Sequence, residues 1–219
     1  MGFAATRNLA ACVAMVVLVA ACSLPRRTTP PGPIPTGAPT SVDGLAAAID
    51  ADSQRSDHES DGRVRGALAD EASGYADACL AQAPKDAACL YGRGVALGLQ
   101  ARAHPTRAGE LLKSMLDSLS GADAADPNYD QAGPSRVRAL VLIRAPGWPL
   151  GPGDADAGLE SARRAVGLRP QYPPNLLALG EALSKTGDAG GARDAAQAMP
   201  DAAGRDGWLR EADQGLQRK

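Results

Sequence analysis

Aromatic residues make up only 3% of the 219 residues, with one Phe, two Trp and four Tyr. Large planar side chains therefore cannot fill a core, and any compact body must be packed mainly with Ala, Leu and Val. Basic charge shows no excess either: 23 Lys and Arg stand against 25 Asp and Glu, for a formal net charge of −2. That balance lacks the phosphate-neutralising surplus of a nucleic-acid binder. With two His and four Cys in the whole chain, no Cys/His spacing builds a metal site. At 44% apolar and 22% charged residues, the composition is that of an ordinary globular protein with room for one domain plus extensions.

What is present falls into three parts. Residues 1–21 carry one positive charge, Arg7, and no acid, followed by an apolar run from Leu9 to Ala21. This is the order of a secretory signal peptide. The run is 13 residues long, too short for the ~20 residues that cross a hydrocarbon core. Its end, Leu18-Val19-Ala20-Ala21-Cys22, resembles the lipobox of bacterial lipoproteins, which implies cleavage before Cys22 and lipid on its sulfur. Ser23, where an Asp would imply retention at the inner membrane, implies export to the outer one. Residues 22–41 form the second part, where Pro25, Pro30, Pro31, Pro33, Pro35 and Pro39 alternate with small polar residues. Such a segment favours extended polyproline-type chain, a tether reaching about 50 Å at ~3.1 Å per residue.

The third part, residues 42–219, shows apolar residues at helical spacing between Gly, Pro and Asp breaks, with no alternating strand pattern, and is expected to be all-α. Residues 42–61 either form a short helix on this body or extend the tether. Leu111, Leu112, Met115, Leu116 and Leu119 form one stripe after Pro105, and Asp154 and Asp188 stand where helix N-caps belong. Pro84, Pro127 and Pro170 are each 43 residues apart, and Ala96, Ala139 and Ala182 occupy the same place after each. Gly94 and Gly180 share the place two residues earlier, where Val137 interrupts the pattern.

From Gly153 to Ala192, the residues Ala165, Pro170, Leu179-Gly180, Leu183, Gly187-Asp188 and Ala192 resemble the tetratricopeptide repeat family, helical hairpins stacked into a solenoid. A standard repeat has about 34 residues, so each unit here is longer. The middle excess is Ala145-Pro-Gly-Trp-Pro-Leu-Gly-Pro-Gly153, a loop between the helices of a hairpin. Asp126-Pro127-Asn128-Tyr129, Ala132-Gly133-Pro134-Ser135-Arg136, Arg144-Ala145-Pro146-Gly147, Gly153-Asp154, Leu168-Arg169-Pro170 and Asn175-Leu176 are more specific. This set is similar to the T-component lipoproteins of TRAP transporters, over about residues 62–198. The resemblance implies a lipid-anchored, periplasm-facing hairpin array that associates with a periplasmic solute-binding protein. Two other roles stay open: a tetratricopeptide lipoprotein scaffolding outer-membrane or pilus assembly, and a carrier of a small apolar ligand in a pocket near Trp148. Association of identical copies also stays open.

No catalytic constellation emerges. His58 and His104 are isolated, no nucleophile elbow is present, and Gly151-Pro152-Gly153 lacks the Lys of a phosphate loop. Asp154 and Asp156 read as a helix cap and a first-turn charge rather than an acid/base pair. The expectation is no enzyme, no cofactor and no metal. In tetratricopeptide arrays one face of each first helix lines a groove. The matching positions here are Tyr91, Val95 and Leu99, then Pro134, Arg138 and Leu142, then Leu177, Glu181 and Lys185. Tyr91, Arg138, Glu181 and Lys185 are thus groove candidates. Trp148 either contacts a partner or folds as a lid over its own hairpin, the plainer reading. Arg93 and Arg136 either take an acidic group or pair within the fold. Cys79 and Cys89 flank Pro84 symmetrically and face each other if two antiparallel helices meet there. They bond in an oxidising compartment unless their Cα atoms lie beyond about 7 Å.

Overall fold

The computed structural model describes residues 37–199, which belong to one compact unit. The signal peptide, Cys22, most of the tether and residues 200–219 lie outside the described residues. The described body is all-α. Its helices are α1 (Val42–His58), α2 (Gly62–Gln82), α3 (Ala87–Ala103), α4 (Ala108–Ala125), α5 (Tyr129–Arg144), α6 (Ala155–Leu168), α7 (Pro173–Lys185) and α8 (Ala189–Gln197), with a single 3₁₀ turn at Pro105–Arg107 before α4. Each helix packs on the next, so the chain runs as four hairpins, α1/α2 to α7/α8. No described helix is long and apolar enough to cross a membrane.

Local chemistry sets where the helices begin. Ser41, Asp61, Asp86, Asp154 and Asp188 each accept a backbone N–H of the first turn, satisfying donors that have no partner inside the helix. Pro84, Pro127 and Pro170 all fall in turns between hairpins, α2–α3, α4–α5 and α6–α7. The 43-residue period is therefore one hairpin and its connection. Residues 42–61 add a further helix, α1, whose Leu45 and Ile49 are buried against α2 and α3.

Ala96, Ala139 and Ala182 are fully buried, because the helices come too close for a larger side chain. At Gly94 an added Cβ would stand 3.0 Å from Leu119 of α4. Val137 interrupts this pattern because α5/α6 makes its close approach from the other helix. A Cβ at Gly158 would lie 2.8 Å from Ile143 and 3.3 Å from the Ala139 carbonyl. Leu119 and Met115, on the apolar stripe of α4, fill the space between α3 and α4.

Cys79 of α2 and Cys89 of α3 are joined by a disulfide across the Pro84 turn, with Cα atoms 5.3 Å apart. Arg93 of α3 forms an ion pair with Asp77 of α2 at 2.6 Å. The α1/α2 interface also holds a poorly compensated charge. Asp52 is buried; its Oδ1 accepts from Arg55 at 3.1 Å, while Oδ2 has no hydrogen-bond partner. Burial first, and then the Glu71 charge, push its carboxyl up from 3.8 to about 6, against the pull of Arg55.

A carboxyl that binds its proton more tightly when folded contributes most below about pH 4, and that contribution is lost as pH rises to about 6. Asp52→Asn is therefore expected to unfold at a higher temperature than wild type at pH 7 and at about the same temperature at pH 4. Thermal unfolding across pH 4–7 checks this.

Candidate functional site

α5 does not start as a regular helix. Asp130, Gln131 and Ala132 have φ/ψ of 46/49°, 56/46° and 65/34°, three consecutive residues in the left-handed region and none of them glycine. Each costs about 1–2 kcal/mol relative to right-handed backbone, so the surroundings must impose the turn. Two side chains do so. Arg136 Nη1 donates to the carbonyls of Asp130 (3.1 Å) and Gln131 (3.3 Å), and Nη2 to Asp130 Oδ2 at 2.6 Å. Asn175 of α7, with 0% exposure, donates from Nδ2 to the carbonyls of Gln131 (3.1 Å), Ala165 (3.1 Å) and Arg169 (3.3 Å). Its Oδ1 accepts from Arg136 Nη1 at 3.2 Å. The Arg136 guanidinium also lies 5.3 Å from the centre of the Tyr172 ring, a cation–π contact. One polar knot thus ties α5, α6 and α7 together.

The knot extends to α3. Tyr91 donates its hydroxyl to Asp130 Oδ2 at 2.9 Å, and its ring meets Tyr129 edge-on, with centroids 5.3 Å apart at 61°. Beside this pair is a cavity of about 380 Å³ between α1, α3 and the left-handed turn. Ile49, Gly92 and Val95 contribute apolar lining, and Asp43, Asp50 and Asp130 contribute carboxylates. Burial, followed by the Asp130 charge, raises the Tyr91 phenol above its ordinary value. The Tyr129 phenol is raised by burial and then by Asp130, Asp86, Asp50 and Asp43.

The groove expected from repeat spacing is not continuous. Tyr91 and Val95 line the cavity, but Leu99, Pro134 and Leu142 are buried. Leu99 is covered because α1 lies on α3, a helix the 43-residue period does not count. Pro134 turns inward because counting from Pro127 passes through the left-handed turn, where right-handed helical spacing fails. Arg138 donates to Ser120 of α4 at 2.8 Å. Glu181 accepts two hydrogen bonds from Arg144, both 2.8 Å, joining α7 to α5. Lys185 is exposed at the end of α7. None of these three lines the cavity.

Trp148 is 91% exposed and Leu150 78%, which overturns the lid reading. Their backbone is nevertheless held. Leu150 and Gly151 donate to the Gly147 carbonyl at 3.1 and 3.2 Å, Gly153 to Pro146 at 2.9 Å and Asp154 to Leu142 at 2.9 Å. Gly153 fits only because it lacks a Cβ, which would run into the Ala145 carbonyl. The Leu150 carbonyl rests beside Gly109 of α4, 3.1 Å from where a Cβ would stand.

Among the described residues, no group of three or more His, Cys, Asp or Glu is placed to hold a metal ion. His58 and His104 are exposed at the ends of α1 and α3. Arg136 and Asn175 carry roles that repeat spacing did not reveal, although both stand inside the motifs quoted above. Comparison with protein-family models and with curated proteins gives no match.

Removing Asn175 would take one hydrogen bond from each of the Gln131, Ala165 and Arg169 carbonyls and one from Arg136, each worth about 0.5–1.5 kcal/mol net, although the carbonyls keep Arg136 and the Arg169 and Tyr172 N–H groups as donors. Asn175→Ala is expected to lose about 2–4 kcal/mol in urea unfolding, more than a surface Asn→Ala change made in parallel.

Proposed function

We propose that this chain is a lipid-anchored protein-interaction module of the bacterial cell envelope, one that binds a partner and transforms no substrate. The observation that carries an interaction role is the Ala145–Gly153 loop, whose fixed backbone projects Trp148 and Leu150 into solvent. An ordered loop loses little conformational freedom when a partner covers it. Trp is also the residue type most enriched among interface anchors. Isolated exposed apolar residues are common on protein surfaces. Two adjacent ones on a loop rich in Pro and Gly are less so.

The partner we favour is a periplasmic solute-binding protein of a TRAP-type transporter. That choice rests on the motifs from Asp126 to Asn175 that resemble the T-component lipoproteins. Cys22 would carry the acyl chains, with Ser23 directing the chain to the outer membrane and residues 22–41 spacing the hairpins from the lipid. Four stacked hairpins, three of them joined through one polar knot, suit a rigid platform for such contacts, in the manner of a tetratricopeptide-like solenoid.

The test is affinity capture from chemically crosslinked cells, with Trp148→Ala run beside the wild type. Trp148 is almost wholly outside the core, so the variant should keep its helical circular dichroism. The expected result is a solute-binding protein recovered with wild type and reduced at least about tenfold with the variant, the loss typical of one aromatic anchor. Recovery of outer-membrane or pilus assembly proteins instead would replace the transporter role with the scaffold role. Equal recovery with both chains would remove Trp148 from the contact.

A further inference from the structure

We propose that the cavity between α1, α3 and the left-handed turn of α5 is a binding site for an alkyl-ammonium or guanidinium group. It is separate from the Trp148 loop and does not depend on that loop's role. Its volume of about 380 Å³ lies in the range of roughly 300–1,000 Å³ usual for small-molecule and side-chain pockets. Its lining divides by chemistry. Ile49, Gly92 and Val95 offer an apolar floor, the crossed Tyr91 and Tyr129 rings an aromatic wall.

No Lys, Arg or His lines the cavity, whereas α1 brings Asp43 and Asp50 and α5 brings Asp130. Asp130 Oδ2 is already taken up by Arg136 and by the Tyr91 hydroxyl, within the knot. Asp50 accepts only the neutral Gln54 amide, at 2.8 Å, and neither Asp50 nor Asp43 forms an ion pair among the described residues. The negative field they set up reaches the aromatic wall, since these carboxylates and Asp86 raise the Tyr129 phenol after burial.

These features select one ligand class. An anion would meet Asp43 and Asp50, two carboxylates with no ion pair among the described residues, and a purely apolar ligand would cover them without replacing their water. A methylene chain ending in a cation satisfies both parts of the lining. The chain covers Ile49 and Val95, while the charged end lies between the carboxylates and the tyrosine rings, whose π-electrons attract a cation. Such a group is carried by a free amine and by a Lys or Arg of a partner.

Calorimetric titration of the full chain tests this ligand class, using Nα-acetyl-lysine N-methylamide and its uncharged Nε-acetyl counterpart as probes. The charged probe is expected to bind and to shift the Tyr91 and Tyr129 ring resonances, with the neutral probe at least tenfold weaker. Asp43→Asn/Asp50→Asn, which changes two exposed side chains, is expected to weaken binding at least tenfold with an unchanged urea midpoint. Trp148→Ala should leave binding as it is. Silence of the wild type, equal affinity for the two probes, or binding indifferent to the two Asn substitutions overturns the proposal.

Discussion

The hydrogen bonds that Arg136 and Asn175 make to the backbone at the start of α5 are the constraint on which the rest of the described structure depends. Three left-handed residues without a glycine are costly backbone, and a buried guanidinium with unmet donors is costly as well. Each cost is offset by the other. The carbonyls that the left-handed turn presents are those that Arg136 and Asn175 need, so neither arrangement is stable alone. Because Asn175 also reaches the end of α6 and Tyr91 reaches Asp130 from α3, the turn fixes how three hairpins meet.

The scarcity of aromatic residues explains much of the remaining architecture. Alanine and glycine at the helix crossings let backbones approach closely, and dispersion between tightly packed helices replaces the area that large side chains would bury. The few aromatics are then concentrated. Three of the four tyrosines, Tyr91, Tyr129 and Tyr172, gather around the knot, while Trp148 faces solvent. An alanine-rich body thus carries its recognisable surface chemistry in two places: an apolar loop on the α5/α6 hairpin, and an aromatic, acid-lined cavity beside α3.

Much of the helical plan was legible in the sequence because it rests on local rules. Proline spacing located the turns between hairpins, Asp154 and Asp188 marked helix starts, and the position of Ala145–Gly153 followed from its composition. The groove was not legible, for a physical reason. Positions counted from Pro127 assume right-handed helix, and nothing in Asp130-Gln131-Ala132 announces a left-handed turn, since its usual marker, glycine, is missing. The conformation is held by Arg136, five and six residues on, together with Asn175, about 45 residues further along the chain, and side-chain hydrogen bonds of that kind leave no periodic pattern. The exposure of Trp148 was equally hidden, because an aromatic between prolines reads the same whether it covers its own hairpin or faces outward.

The most direct measurement is nuclear magnetic resonance of the backbone at Asp130, Gln131 and Ala132, in the wild type and in Arg136→Gln. The account predicts strong intraresidue HN–Hα contacts and couplings diagnostic of positive φ at all three residues in the wild type. In the variant it predicts their collapse toward right-handed or averaged values, together with loss of the Tyr91–Tyr129 ring contact. Negative φ in the wild type, or positive φ persisting in the variant at unchanged stability, would contradict the claim that this knot imposes the turn.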